Sequence, residues 1–84
     1  MNNERAIILK SAADHRRAEV LHHQINIDNY RLAIAEIEQN HAGDASLMEF
    51  GGKLRALLDE SLREQAKEKI MLLVIERQLA EADQ

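Results

Sequence analysis

The stretch HRRAEVLHH, residues 15–23, holds three histidines, two arginines and a glutamate within nine positions. On a helix, His15, Glu19 and either His22 or His23 share a face, through spacings of four and then three or four. Two imidazoles and a carboxylate so placed could ligate a divalent metal. Glu19-x-x-His22 is also the spacing with which di-iron helical bundles aim two ligands at their core. A symmetric dimer would supply the motif twice, with Glu60, Glu64 or Glu68 as bridging carboxylates. His15, Glu19 and His22 are therefore the metal candidates, and a metal-binding dimeric bundle is the alternative reading they support. The spacing is common by chance in helices, and Glu19 and His22 fall off the apolar seam described below. The expectation is a solvated face with ion pairs from Glu19 to His15 and His23, without metal or cofactor.

Other chemistries find less. Arg16 and Arg17 point to different sides of a helix. The chain carries a formal net charge of −4, with five basic and six acidic residues in positions 1–41 and six basic and nine acidic in 44–84. One Phe and one Tyr offer little to stack on bases. A small nucleic-acid-associated regulator is thus a weaker alternative, because phosphate binding needs a basic surface. There is no cysteine, which removes thiol nucleophiles, disulfides and thiolate metal sites. Ser11, Ser46 and Ser61 lack a nucleophile-elbow context. Gly51-Gly52 runs into KLRALL, which is not a phosphate-binding loop. Asp59 and Glu60, with Arg63 and Glu64, make ordinary intrahelical pairs. The expectation is a non-enzymatic protein.

The elements that position these residues are helices. Apolar residues are 45% of the 84, charged residues 31%, and there is no proline. Aliphatics with Glu, Arg, Lys, Gln and Ala are the composition of long helices. NHAGDAS, residues 40–46, is the main punctuation. Gly43 can take the left-handed conformation that ends a helix. Ser46 with Glu49 reads as a capping box that starts the next one. The expected fold is one all-α domain over 1–84, an antiparallel hairpin with a helix at about 3–41, a turn at 42–45 and a helix at about 46–82. Gly51-Gly52 could split off a short helical turn near 46–51, and NIDN, residues 26–29, could bend the first helix.

In the first arm one stripe runs Ala6, Leu9, Ala13, Arg16, Val20, His23, Ile27, Tyr30, Ile34, Ile37, with the alternating spacing of a coiled-coil seam. The second arm shows Leu47, Phe50, Leu54, Leu57, Leu58, Leu62, Ala66, Ile70, Leu73. Folding about Gly43 puts residue i near residue 87 − i. Ile37 then meets Phe50, Ile34 meets Leu54, and Tyr30 meets Leu57. His23 falls near Glu64 and Lys67, and Arg16 lies within a turn of Glu68.

One seam does not consume the apolar residues. A second stripe, Ile7, Ala18, Leu21, Ile25, Leu32, Ala35, lies away from it. IMLLVI, residues 70–75, is apolar all round and must be covered on more than one side. A monomeric hairpin would leave a large apolar patch in water. The expectation is a homodimer, two hairpins forming a four-helix bundle. It would bind a further protein through Ile7, Leu21, Ile25, Leu32, Met71, Leu72, Ile75 and Leu79. The apolar run Ala6–Leu9 is too short for a signal-peptide core or a membrane span, so a cytoplasmic site is expected. In build, length and absence of cysteine the chain is similar to small hairpin proteins that chaperone secretion subunits and to small phage-encoded inhibitors. That likeness is of build alone; the adaptor, inhibitor or chaperone role expected here rests on the uncovered apolar face.

Overall fold

A computed structural model describes residues 3–82, with side chains from 3 to 81. Two α-helices of 38 residues, α1 (Asn3–Asn40) and α2 (Ala45–Ala82), lie antiparallel as a hairpin. No strand occurs among the described residues. The rod measures 62 × 15 × 14 Å. No described helix is long and apolar enough to cross a membrane.

The connection, residues 41–44, has the expected length but is built differently than the sequence suggests. The N–H of His41 donates to Ile37 O at 2.9 Å, and the N–H of Asp44 donates to His41 O at 3.0 Å, closing a turn over 41–44. Gly43 has no positive φ, so the left-handed ending expected there is not used. The Asp44 carboxylate accepts hydrogen bonds from the backbone N–H groups of Ser46 and Leu47, at 3.0 and 3.1 Å. Asp44 is therefore the cap of α2, in place of the Ser46–Glu49 box. A carboxylate there satisfies two orphan donors and meets the positive end of the helix dipole. α1 is continuous through residues 26–29, and α2 is continuous through Gly51-Gly52, so no extra helical turn splits off.

The α1 seam lies where its spacing places it. Ala13, Ile27 and Ile37 are buried, and the other seven seam residues are half-buried. The facing stripe on α2 is Leu47, Gly51, Leu54, Leu58, Ser61, Gln65, Glu68, Leu72, Ile75, Leu79, with Gly51, Leu54, Gln65 and Ile75 buried. Only Leu47, Leu54 and Leu58 of the expected α2 stripe belong to it. Phe50, Leu57, Leu62, Ala66, Ile70 and Leu73 are exposed. The Cβ position of Gly51 lies 3.7 Å from Ile37 Cγ2, so Ile37 packs on Gly51, beside the expected Phe50.

Polar contacts fix the register. Arg16 pairs with Glu68 at 2.9 Å inside the seam. Gln65, 5% exposed, donates to Val20 O at 3.2 Å and to Gln24 Oε1 at 2.8 Å. Arg5 donates to Gln78 at 2.8 Å. Arg17 pairs with Glu76 at 3.2 Å, and Arg55 pairs with Glu38. The residue numbers in these contacts sum to between 83 and 93, bracketing 87. Every buried side-chain polar atom among the described residues has a hydrogen-bond partner. This matters because an orphaned polar group in so thin a core costs about 1–3 kcal/mol.

Candidate functional site

An α-helix turns about 100° per residue, so each helix of the hairpin has a seam, two flanks and an outer face. On one flank α1 presents Lys10, Arg17, Gln24, Arg31 and Glu38. Three of these cross to α2, Arg17 and Glu38 in ion pairs with Glu76 and Arg55, and Gln24 by accepting a hydrogen bond from Gln65. An open groove of about 350 Å³ lies there, lined by Arg31, Ile34, Ala35, Glu38, Arg55, Leu58 and Asp59. Arg55 and Glu38 pair across it, and it is open to solvent.

The opposite flank is different. α1 presents Arg5, Ala12, Glu19, Asn26 and Ala33 there, and Arg5 crosses to α2 by its hydrogen bond to Gln78. α2 presents Phe50, Leu57, Glu64 and Met71, of which Phe50, Leu57 and Met71 are exposed. Glu19 and Glu64 carry the same sign and cannot pair across it. Glu64 instead accepts a hydrogen bond from Lys67 Nζ at 2.9 Å. The hydrogen bond and charge of Lys67 hold its carboxyl below the usual glutamate range, against the opposition of burial and with lesser help from His23 and Arg63.

The outer face of α1 carries Ile7, Leu21, Ile25 and Leu32, all more than half exposed, Leu32 at 70%. Met71 is exposed on the α2 flank. The remaining α2 candidates lie elsewhere. Leu72 and Leu79 are half-buried in the seam, and Ile75, at 7% exposure, belongs to the hairpin core. Ile75 therefore has little surface to offer a partner. Four large apolar side chains of IMLLVI are exposed, Ile70, Met71, Leu73 and Val74. Ile8 joins them in the surface, and so do Phe50 and Leu57, which the α2 spacing predicts in the seam. The signal for them was present in the phase of α2. Its seam uses Gly51, Ser61, Gln65 and Glu68, and a count of apolar residues alone drifts off that phase.

In total thirteen large apolar side chains are exposed among the described residues. The accessible surface is 6044 Å². A globular monomer of this mass would expose about 5,100 Å². The rod thus shows about 900 Å² more than a compact fold.

The polar candidates are dispersed. His15 and His22 are exposed, and Glu19 and His23 are half-buried. The His22 and His23 rings stand edge to face, 5.8 Å apart. Among the described residues no group of three or more His, Asp or Glu side chains could hold a metal ion. Arg16 and Arg17 are engaged by Glu68, Asp14 and Glu76. No protein-family model, curated protein or solved structure matches this chain.

Proposed function

We propose that the chain is a non-catalytic helical interaction protein of the adaptor, inhibitor or chaperone kind. It self-associates, and it lays an apolar helix face against a protein partner. The observation that carries this reading is the uncovered apolar surface on a hairpin only two helices thick. Apolar patches of this extent on soluble proteins mark interaction sites. A rod of paired helices offers no enclosed pocket for chemistry. It does offer a long flat face with apolar anchors and a charged rim, which is how protein interfaces are built. The action is occlusion or scaffolding of the partner. The outer stripe of α1, Ile7, Leu21, Ile25 and Leu32, is the surface assigned to it.

The test compares the wild-type chain with the Leu21→Glu, Ile25→Glu double variant. Both sites are exposed, so helicity should be unchanged. Wild type should show a solution mass above the 9.6 kDa of one chain and co-purify from its host with a stoichiometric protein. The variant should lose that protein. A wild-type chain that stays at 9.6 kDa at high concentration, with no bound protein, sinks the reading.

A further inference from the structure

We infer that the end of the hairpin far from the turn, residues 3–15 with 69–82, opens as one unit while the turn end stays zipped. The polar layer between them is the boundary. The seam changes character along the rod. Near the turn it packs Ile27, Tyr30, Ile34 and Ile37 against Leu54 and Leu58, with Ile27, Ile37 and Leu54 buried. In the middle it runs Arg16, Val20 and His23 on α1 and Ser61, Gln65 and Glu68 on α2, and of these six only Val20 is apolar. At 1.5 Å per residue, the stretch from Arg16 to His23 interrupts the apolar seam for about 10 Å. Beyond it α1 offers Ala6, Leu9 and Ala13 to Leu72, Ile75 and Leu79, and only Ala13 and Ile75 are buried there.

The two ends are therefore held by different means. Hydrophobic stabilisation follows the apolar area buried, and two alanines of the far α1 seam bury little. The far end is tied across by Arg5 to Gln78 and by Arg17 to Glu76, both exposed contacts. Exposed polar ties of this kind add little to stability. The turn end is joined by the short link 41–44, so zipping it costs little chain entropy. Closing the far end has to be transmitted through the polar layer. There Arg16 bonds across to Glu68, and Gln65 bonds across to Val20 O and Gln24. These bonds run across the seam, so they do not link the apolar side chains above the layer to those below it. Opening uncovers Leu9, Leu72, Ile75 and Leu79 next to Ile8 and Met71, which are already exposed. The freed arms lose the packing from which helices in proteins draw most of their stability. Their backbone amides then become open to exchange.

Amide hydrogen exchange of the full wild-type chain, followed peptide by peptide in a mass spectrometer, tests this. Amides within 7–15 and 70–79 should share one protection factor, at least about tenfold below that of 28–37 and 50–58, with a step at the polar layer. Protection that is uniform along the rod overturns the inference. So does protection that climbs steadily from the chain ends to the turn, because that is fraying without a boundary. Arg16→Met with Glu68→Leu makes the seam more continuously apolar. It should raise far-end protection about tenfold towards that of the turn end and shrink the step. A step of unchanged size in that variant, with far-ultraviolet helicity kept, overturns the polar layer as the boundary. The wild-type profile decides the two-unit reading by itself, whether or not the variant folds.

Discussion

Arg16 reaches across the seam to grip both carboxylate oxygens of Glu68, at 2.9 and 3.2 Å from one guanidinium nitrogen. The pair sits inside the hairpin, where apolar residues would normally face each other. Side-chain exposures of 32% and 19% make it partly desolvated. Such a pair adds little net stability but penalises every register that separates its members. Its neighbour in that task is Gln65, which binds Val20 O and Gln24. Two long helices whose apolar residues repeat evenly can slip by a turn, and these polar layers resist it.

Removing one member should therefore hurt more than removing both. Arg16→Ala leaves Glu68 half-buried and unpaired, and should cost about 1–3 kcal/mol. Arg16→Met with Glu68→Leu should be neutral or more stable than wild type. Urea unfolding at one fixed protein concentration checks this, since association itself adds stability. Equal losses for the single and double variants would contradict the reading.

At the turn, the cap of α2 separates two residues that a sequence scan confuses. Asp44→Ala removes the acceptor for two backbone N–H groups and should cost about 1 kcal/mol. Ser46→Ala touches no capping contact and should change stability by less than about 0.5 kcal/mol. For a domain of this size 1 kcal/mol corresponds to about 4–8 °C in Tm, so thermal melts resolve the two variants.

The same comparison shows what the sequence makes legible. Helix content, the turn region, the α1 seam and the 87-sum register are all readable, because the α1 seam is regular and nearly all apolar. Leu57 shows where reading fails. It is as apolar as Leu54 and Leu58, and only the phase set by Gly51, Gln65 and Glu68 tells that it lies outside. Ile75 fails in the opposite sense, as a core residue mistaken for surface because IMLLVI is apolar all round. The outer stripe through Leu21, Ile25 and Leu32 was legible, being the part of α1 left over once its seam is known. The α2 flank was not, because that seam borrows small and polar residues.

Gly51 and Gly52 make no structural demand that alanine could not meet. Neither has a positive φ, and the Cβ position of Gly52 is empty to 4 Å. The Cβ of an alanine at 51 would meet Ile37 Cγ2 at 3.7 Å, an ordinary contact. Both lie inside a helix, where glycine is less favourable than alanine by about 1 kcal/mol. Gly52→Ala should raise stability by about that amount, and Gly51→Ala by a similar or slightly smaller one. A loss of stability at Gly52 in thermal or urea unfolding would mean that something outside the single hairpin occupies that position.

Glu64 carries the pH dependence that this structure specifies. Lys67 donates to its carboxylate and holds its proton affinity below the usual glutamate value, with His23 and Arg63 adding to the effect. A carboxyl depressed in the folded state favours folding above its unfolded pKa. That contribution fades as the pH falls from the ordinary glutamate range through the lower folded value. It is small, because the group is in water and screened. The clearer reading is the titration itself. Carboxyl resonances followed by NMR should show Glu64 with a midpoint below the ordinary value for an exposed glutamate. Lys67→Gln should move it back up, because it removes the ammonium charge and the charge-assisted bond together. Arg63→Gln should move it less, since that guanidinium acts only through space. A Glu64 midpoint unchanged by Lys67→Gln would show that another cation holds it. The nearest source would then be His23, whose replacement by Gln should supply the missing shift.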